Sequence, residues 1–166
     1  MNIIVKYIKM AAIFASIVLI QPANAGDKLH QNTDIKTDYQ QQILYYVNQY
    51  RMKHHLSALK MNSAISSEAA KHSRDMASKA MPFGHTGYNG RIKRLYTKFG
   101  QCRGGAENVA YYRLGAKKLV DAWIASPGHR QNIVGNYNLT GIGIAYSKKG
   151  WAYYTQIFLR SDGQNV

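Results

Sequence analysis

A single cysteine, three prolines and eight acidic residues, only two of them glutamates, set the first limits on this 166-residue chain. One cysteine closes no loop, so no disulfide within the chain holds the fold. In an oxidising compartment the Cys102 thiol is buried, blocked or paired with another chain. Arg103 and Lys98 nearby favour a thiolate; the plainer reading is a small residue tucked into a loop. The longest apolar run, Met10 to Ile20, falls short of the ~20 residues that span a bilayer. No Gly-x-Ser-x-Gly elbow, Walker loop or His-Glu-x-x-His spacing occurs, which removes the local signatures of α/β-hydrolases, P-loop nucleotide enzymes and zincins. No segment repeats, which argues against a solenoid.

What the chain does have at its start is an export pattern. Lys6 and Lys9 precede the apolar run, and Ala23-Asn24-Ala25 places small residues where a signal peptidase reads. Residues 1–25 are therefore expected to be removed, and no cysteine follows the cut to be lipidated. Without Lys6 and Lys9 the formal charge falls from +14 to +12 over the remaining 141 residues. That length suits one domain with a real core. Export to the periplasm or the exterior argues against nucleic acid as a partner. It leaves anionic envelope polymers, lipid head groups and other protein surfaces as attractors. The same charge also serves simply to keep an exported protein soluble.

Residues 26–37 are polar and aperiodic and read as a flexible leader. From Asp38, a suitable N-cap, the spacing of Ile43, Val47 and Tyr50 predicts a helix, widened by Leu44 and Tyr46 and closed by the basic cluster around Arg51. A second helix is expected over 63–80, capped by Asn62 or Ser63. Its stripe is Ile65, Ala69, His72 and Met76, and Pro82 ends it. Residues 81–90 form a glycine-rich loop, 91–98 a short basic helix and 100–105 another loop. A short strand over 107–112 and a helix from Gly115 to Ala125 with Leu119, Val120 and Trp123 inward come next. Leu139–Tyr146 and Trp151–Leu159 alternate as a hairpin across Ser147-Lys148-Lys149-Gly150. Helices before and between short antiparallel strands indicate an α+β domain over 38–160, with a tail at 161–166.

Three short segments each set an ionisable side chain beside glycine. His85 lies between Gly84 and Thr86, Glu107 follows Gly104-Gly105-Ala106, and His129 follows Pro127-Gly128. Glu107 is the only acid between Asp75 and Asp121. Two histidines and a glutamate make a first shell for zinc with an open position, although three separate segments must converge to build it. The alternatives are surface histidines and a structural carboxylate that accepts loop amides or pairs with Arg130. His72, on the apolar stripe, reads as a core histidine.

The order of these segments resembles the CAP superfamily: cysteine-rich secretory proteins, antigen 5 and pathogenesis-related proteins, with bacterial SCP-like relatives. The resemblance rests on Val47-Asn48-Gln49-Tyr50-Arg51, on the run from Ala69 to Ala77, on Gly84-His85-Thr86-Gly87, and on Ala106-Glu107-Asn108-Val109-Ala110. The run from Trp123 to Ile133 is its most specific piece, and Gly141–Ala145 and Tyr154–Phe158 complete it. It covers about residues 39–160. It implies an α-β-α sandwich around a small central antiparallel sheet. It also implies a cleft of histidines and acids, to which His85 and Glu107 match directly, with His129 near the place of the second acid. Tyr153 stands where the family's second histidine normally precedes Tyr-Thr-Gln, so a zinc pair of His85 with His129 would differ from the usual one.

These readings converge on an exported binding or interaction module whose cleft gathers His85, Glu107, His129 and Tyr153, with zinc as the cofactor the donor set suggests. The rivals are a protease-like hydrolase in which Glu107 or a histidine activates water, and a secreted lipid- or sterol-binding protein. Mass spectrometry of the exported chain should find Gly26 at its N-terminus; intact Met1 in a membrane fraction would refute the cut.

Overall fold

A computed structural model describes residues 25–163, with side-chain surroundings from Thr37 onward; the expected export segment up to Asn24 and the end of the tail from Gln164 lie outside the described residues. Among the described residues the elements run α1 (Ala25–Lys53), β1 (Lys60–Met61), α2 (Ser63–Ala77), α3 (Tyr88–Phe99), β2 (Cys102–Tyr112), α4 (Ala116–Ala125), α5 (Pro127–Ile133), β3 (Leu139–Tyr146) and β4 (Ala152–Ser161). The sheet order is β1-β3-β4-β2. β3, β4 and β2 are antiparallel neighbours, whereas β1 adds a two-residue parallel edge to β3 that the sequence pattern did not announce.

α1 begins at Ala25 and not at Asp38. No glycine or proline stands between Asp27 and Lys53, so nothing local stops the helix. Asp38 lies inside it and accepts from Gln42 Nε2 at 2.8 Å instead of capping. Ile43 and Val47 are fully buried, with Leu44, Tyr46 and Tyr50 packed beside them. Arg51, expected in the basic cluster that closes the helix, is buried. Its guanidinium donates to the carbonyls of Ser57 (2.9 Å), Ile133 (2.7 Å), Gly135 (2.9 Å) and Tyr137 (3.1 Å). The end of α1 is thus tied to the chain that leaves α5.

α2 starts as expected. Asn62 Oδ1 accepts from the amides of Ala64 (2.9 Å) and Ile65 (3.3 Å), which satisfies two free N–H groups of the first turn. It ends at Ala77, where Lys79 turns into left-handed backbone (φ 64°), before Pro82 can act. Its buried stripe, Ile65, Ala69, His72 and Met76, rests on β3 and β4. The approach is very close: a Cβ on Gly141 would fall into the backbone of Ile65 and Ser66, and one on Gly143 into that of Ala69 and Ala70. Ser73 Oγ fastens the crossing, bonded to Gly143 O (3.0 Å) and Thr155 Oγ1 (2.9 Å).

The result is three layers. Ile43, Val47, Leu119, Val120, Trp123 and Ile133 from α1, α4 and α5 meet Ile142, Ile144, Tyr154 and Phe158 on one sheet face. Ile65, Ala69, Leu95 and Phe99 from α2 and α3 meet Leu139, Ile157 and Leu159 on the other. This is the α-β-α sandwich. Two local expectations fail. Residues 102–105 are strand, not loop, because β4 is long enough to pair with them: Gly104 faces Arg160 and Gly105 faces Leu159. Ser126-Pro127-Gly128 does end α4, but Pro127, with its φ already fixed, opens α5. His129 is therefore a helix residue.

Gly143→Ala should lower unfolding stability by about 1–3 kcal/mol in urea, as overpacking does. Gly115→Ala, with nothing within 4 Å of the added carbon, should stay within about 0.5 kcal/mol. Equal losses would show that α2 can retreat from the sheet.

Candidate functional site

The site grows from Glu107, whose side chain is 1% exposed on β2. A buried carboxylate must be compensated. Arg91, near the start of α3, does this with a two-pronged bond: Nε to Oε2 at 2.9 Å and Nη2 to Oε1 at 2.8 Å. Arg91 Nη1 reaches Thr86 O at 2.8 Å and so holds the preceding loop. The partner of Glu107 is therefore Arg91 and not Arg130, which instead donates to Ile124 O. In the sequence Arg91 is one cation of a basic helix; the signal that marks it is the lone acid in a cationic stretch, which needs a cation from some neighbouring element.

His85 completes the arrangement. Its Nδ1 lies 2.9 Å from Glu107 Oε1 and its side chain is half exposed. The carboxylate accepts, so Nδ1 carries a hydrogen. His72 sits behind, buried on α2. Its Nε2 donates to Gly84 O at 2.8 Å and lies 3.9 Å from Glu107 Oε1, and its Nδ1 has no partner among the described residues. His72 thus fixes the backbone just before His85. Burial holds its imidazole below the ordinary 6.5 against the raising effects of Gly84 and Glu107, and Arg91 adds to the depression.

His129 comes from the opposite layer. α5 is locked to β2 by asparagines: Asn108 Nδ2 donates to His129 O (3.1 Å), and Asn132 Nδ2 donates to Asn108 Oδ1 (2.8 Å) and Glu107 O (3.1 Å). Neither asparagine carries a local sequence signal, because each acts between elements far apart in the chain. Burial first, and the charge of His85 second, hold His129 below its ordinary value.

His85 and His129 face one cavity of about 550 Å³ along the β2 edge, walled by Phe83, Tyr111, Ala122 and Trp123 and floored by Val109 and Ala110. Glu107 lines the adjoining cavity with His85 and Tyr88. Tyr153 does not line the histidine cleft. Its ring stacks behind the wall, 5.4 Å from Tyr111 and 6.4 Å from Phe83, and borders a separate cavity. The donor set does not fit the zinc shell expected of His85, Glu107 and His129. Both Glu107 oxygens are bonded to Arg91, and Oε1 also accepts from His85. Among the described residues no group of three or more His, Cys, Asp or Glu is arranged to hold a metal ion.

A model of the cysteine-rich secretory protein family, CAP, matches residues 44–158. The chain is 31% identical over 144 residues to the Bacillus subtilis membrane protein YlbC, covering 86% of this chain and 40% of that protein. It is 30% identical over 122 residues to Bacillus subtilis YkwD, covering 73% of this chain and 47% of YkwD. It thus spans less than half the length of these two relatives. An extracellular protein containing an SCP domain from Bacillus anthracis superposes with a TM-score of 0.65 at 27% identity, over 85% of this chain and 45% of that one.

The depressed histidines set a pH response. A group whose folded pKa lies below its unfolded value leaves the unfolded chain holding more protons, so stability drops as the pH is lowered. His72 and His129 both have this sign. The melting temperature should therefore hold steady above about pH 7 and fall from about pH 6.5 down toward pH 5.5. His72→Gln, which keeps a donor for Gly84, should flatten that fall, and His72→Gln with His129→Gln should flatten it further. An unchanged fall in the double variant would place the titration elsewhere.

Proposed function

The chain belongs to the cysteine-rich secretory protein (CAP) family, and from that premise we propose that it is an exported interaction module that takes an extended peptide segment of another protein into the cleft at the β2 edge. One observation carries the reading, the open backbone of that edge. β2 is the last strand of the sheet. The carbonyls of Gly105 and Glu107 point away from β4, since they accept from Tyr88 Oη (2.7 Å) and Asn132 Nδ2 (3.1 Å). A strand repeats every two residues, so Val109 and Tyr111 turn their N–H and C=O groups the same way. They therefore lie outside the β2–β4 ladder, no other backbone bond reaches them among the described residues, and both residues line the histidine cavity. An added strand supplies the missing partners.

The cleft walls suit such a guest. Trp123 lines the cavity, and its buried indole stiffens that wall. His85 and His129 offer polar contacts on either side, and Phe83 and Tyr111 offer apolar ones. The hydrolase alternative finds less support, because the bonds to Arg91 and His85 occupy the carboxylate that would serve as base. A lipid or sterol would leave the open amides unpaired. Export is supported by the Lys-flanked apolar start and by likeness to an extracellular protein. No described helix is long and apolar enough to cross a membrane.

Peptides selected from a random library on the mature chain should protect the Val109 and Tyr111 amides from hydrogen exchange. Val109→Pro removes one outward donor and leaves the β4 ladder intact; it should weaken the selected peptides about tenfold, the worth of one to two hydrogen bonds. Peptides that bind this variant as tightly as wild type, or that protect other strands, would refute the reading.

A further inference from the structure

Away from the histidine cleft, a second cavity of about 830 Å³ lies between the end of α2 and the β3–β4 turn. Four cations line it: Arg74 and Lys79 from α2 and its exit, Lys148 and Lys149 from the turn. All four are exposed, and none is joined to a carboxylate among the described residues. The acids nearby are already taken. Asp75, the acid on this wall, is 2.7 Å from Lys71. Elsewhere Glu68 pairs with Arg94, Asp121 with Lys117, and Asp162 with Arg103 and Arg160. The chain's excess positive charge is therefore displayed here without internal neutralisation.

Aromatic rings share the same wall. Trp151 and Tyr153 line the cavity, and Trp151 is 37% exposed. Tyr111 stacks 5.4 Å from Tyr153 and sits 5.2 Å from Trp151, which fixes both rings. Arg113 lies 4.7 Å over the Trp151 ring and adds a fifth cation at the rim. Rigid aromatic faces beside unpaired cations suit a ligand with apolar ring faces and anionic substituents. The CH faces of a sugar ring stack on indole or phenol, and its carboxylates or phosphates meet the lysines. We propose that this cavity is a binding site for an acidic polysaccharide, independent of the strand-edge cleft.

Calorimetric titration of the mature chain with an oligogalacturonate octamer tests this directly. Saturable binding is expected, at least about tenfold tighter than for the same octamer with its carboxylates methyl-esterified. Lys148→Gln with Lys149→Gln should lose about tenfold. Lys93→Gln with Lys98→Gln, an equal charge loss on the exposed side of α3, should stay within about twofold. Trp151→Leu should lose about tenfold at an unchanged melting temperature, and Trp151→Phe should recover most of it. Equal affinity for the esterified octamer, equal losses from both lysine pairs, or binding only to phosphatidylglycerol vesicles would overturn the site.

Discussion

A buried carboxylate that three other elements must satisfy governs this molecule. Glu107 faces the side of the sheet that α2 and α3 cover, where an unpaired charge would cost several kcal/mol. Arg91 fixes α3, His85 fixes the loop before it, and His72 stands behind on α2. Arg91 is held by a further bond to Thr86 O, and His72 by its bond to Gly84 O. The loop over 78–87 has little apolar surface to hold it, so these polar bonds give it a defined path. The imidazole of His85 inherits its orientation from that path and its tautomer from the carboxylate.

The cleft lies at the edge of the sheet because its halves come from different layers. His85 arrives from the α2–α3 side and His129 from the α4–α5 side, and they can meet only around a strand with no neighbour beyond it. Two side chains guard the same edge lower down: Tyr88 closes Gly105 O and Asn132 closes Glu107 O. A guest strand therefore has only the stretch from Val109 to Tyr112 to pair with, about four residues or ~13 Å of backbone. Side-chain contacts with Phe83, Trp123 and the histidines must supply most of its selectivity.

Much of the fold was legible in the sequence, for physical reasons that can be named. The stripes Ile43/Val47 and Ile65/Ala69/Met76 have the helical period, and β3 and β4 alternate around a polar turn. The resemblance then supplied the sandwich, which periodicity alone does not yield. Local signals failed where tertiary pairing decides. Gly104 and Gly105 look like loop until β4 provides a partner, and α1 runs on upstream of Asp38. Gly141 and Gly143 read as ordinary strand residues, yet they are where α2 touches the sheet. At the site, His85 and Glu107 do meet and His129 shares the cavity with His85. Arg91, Asn108 and Asn132 have no local signature because their roles depend on elements far away in sequence. Tyr153 holds the motif position on β4 and shares a sheet face with its β2 partner Tyr111, whose ring walls the cleft in its place.

Arg51 and Arg91 are both buried guanidiniums, but they are neutralised differently. Arg91 faces a carboxylate, whereas Arg51 sits in a cage of four uncharged carbonyl oxygens. All four acceptors of Arg51 are main-chain oxygens, which no substitution in the chain removes, whereas one change at Glu107 leaves Arg91 a buried charge without its counter-ion. The α2–α3 side of the sandwich is thus open to loss at a single side chain, while α1 stays moored to backbone that every variant of the sequence keeps.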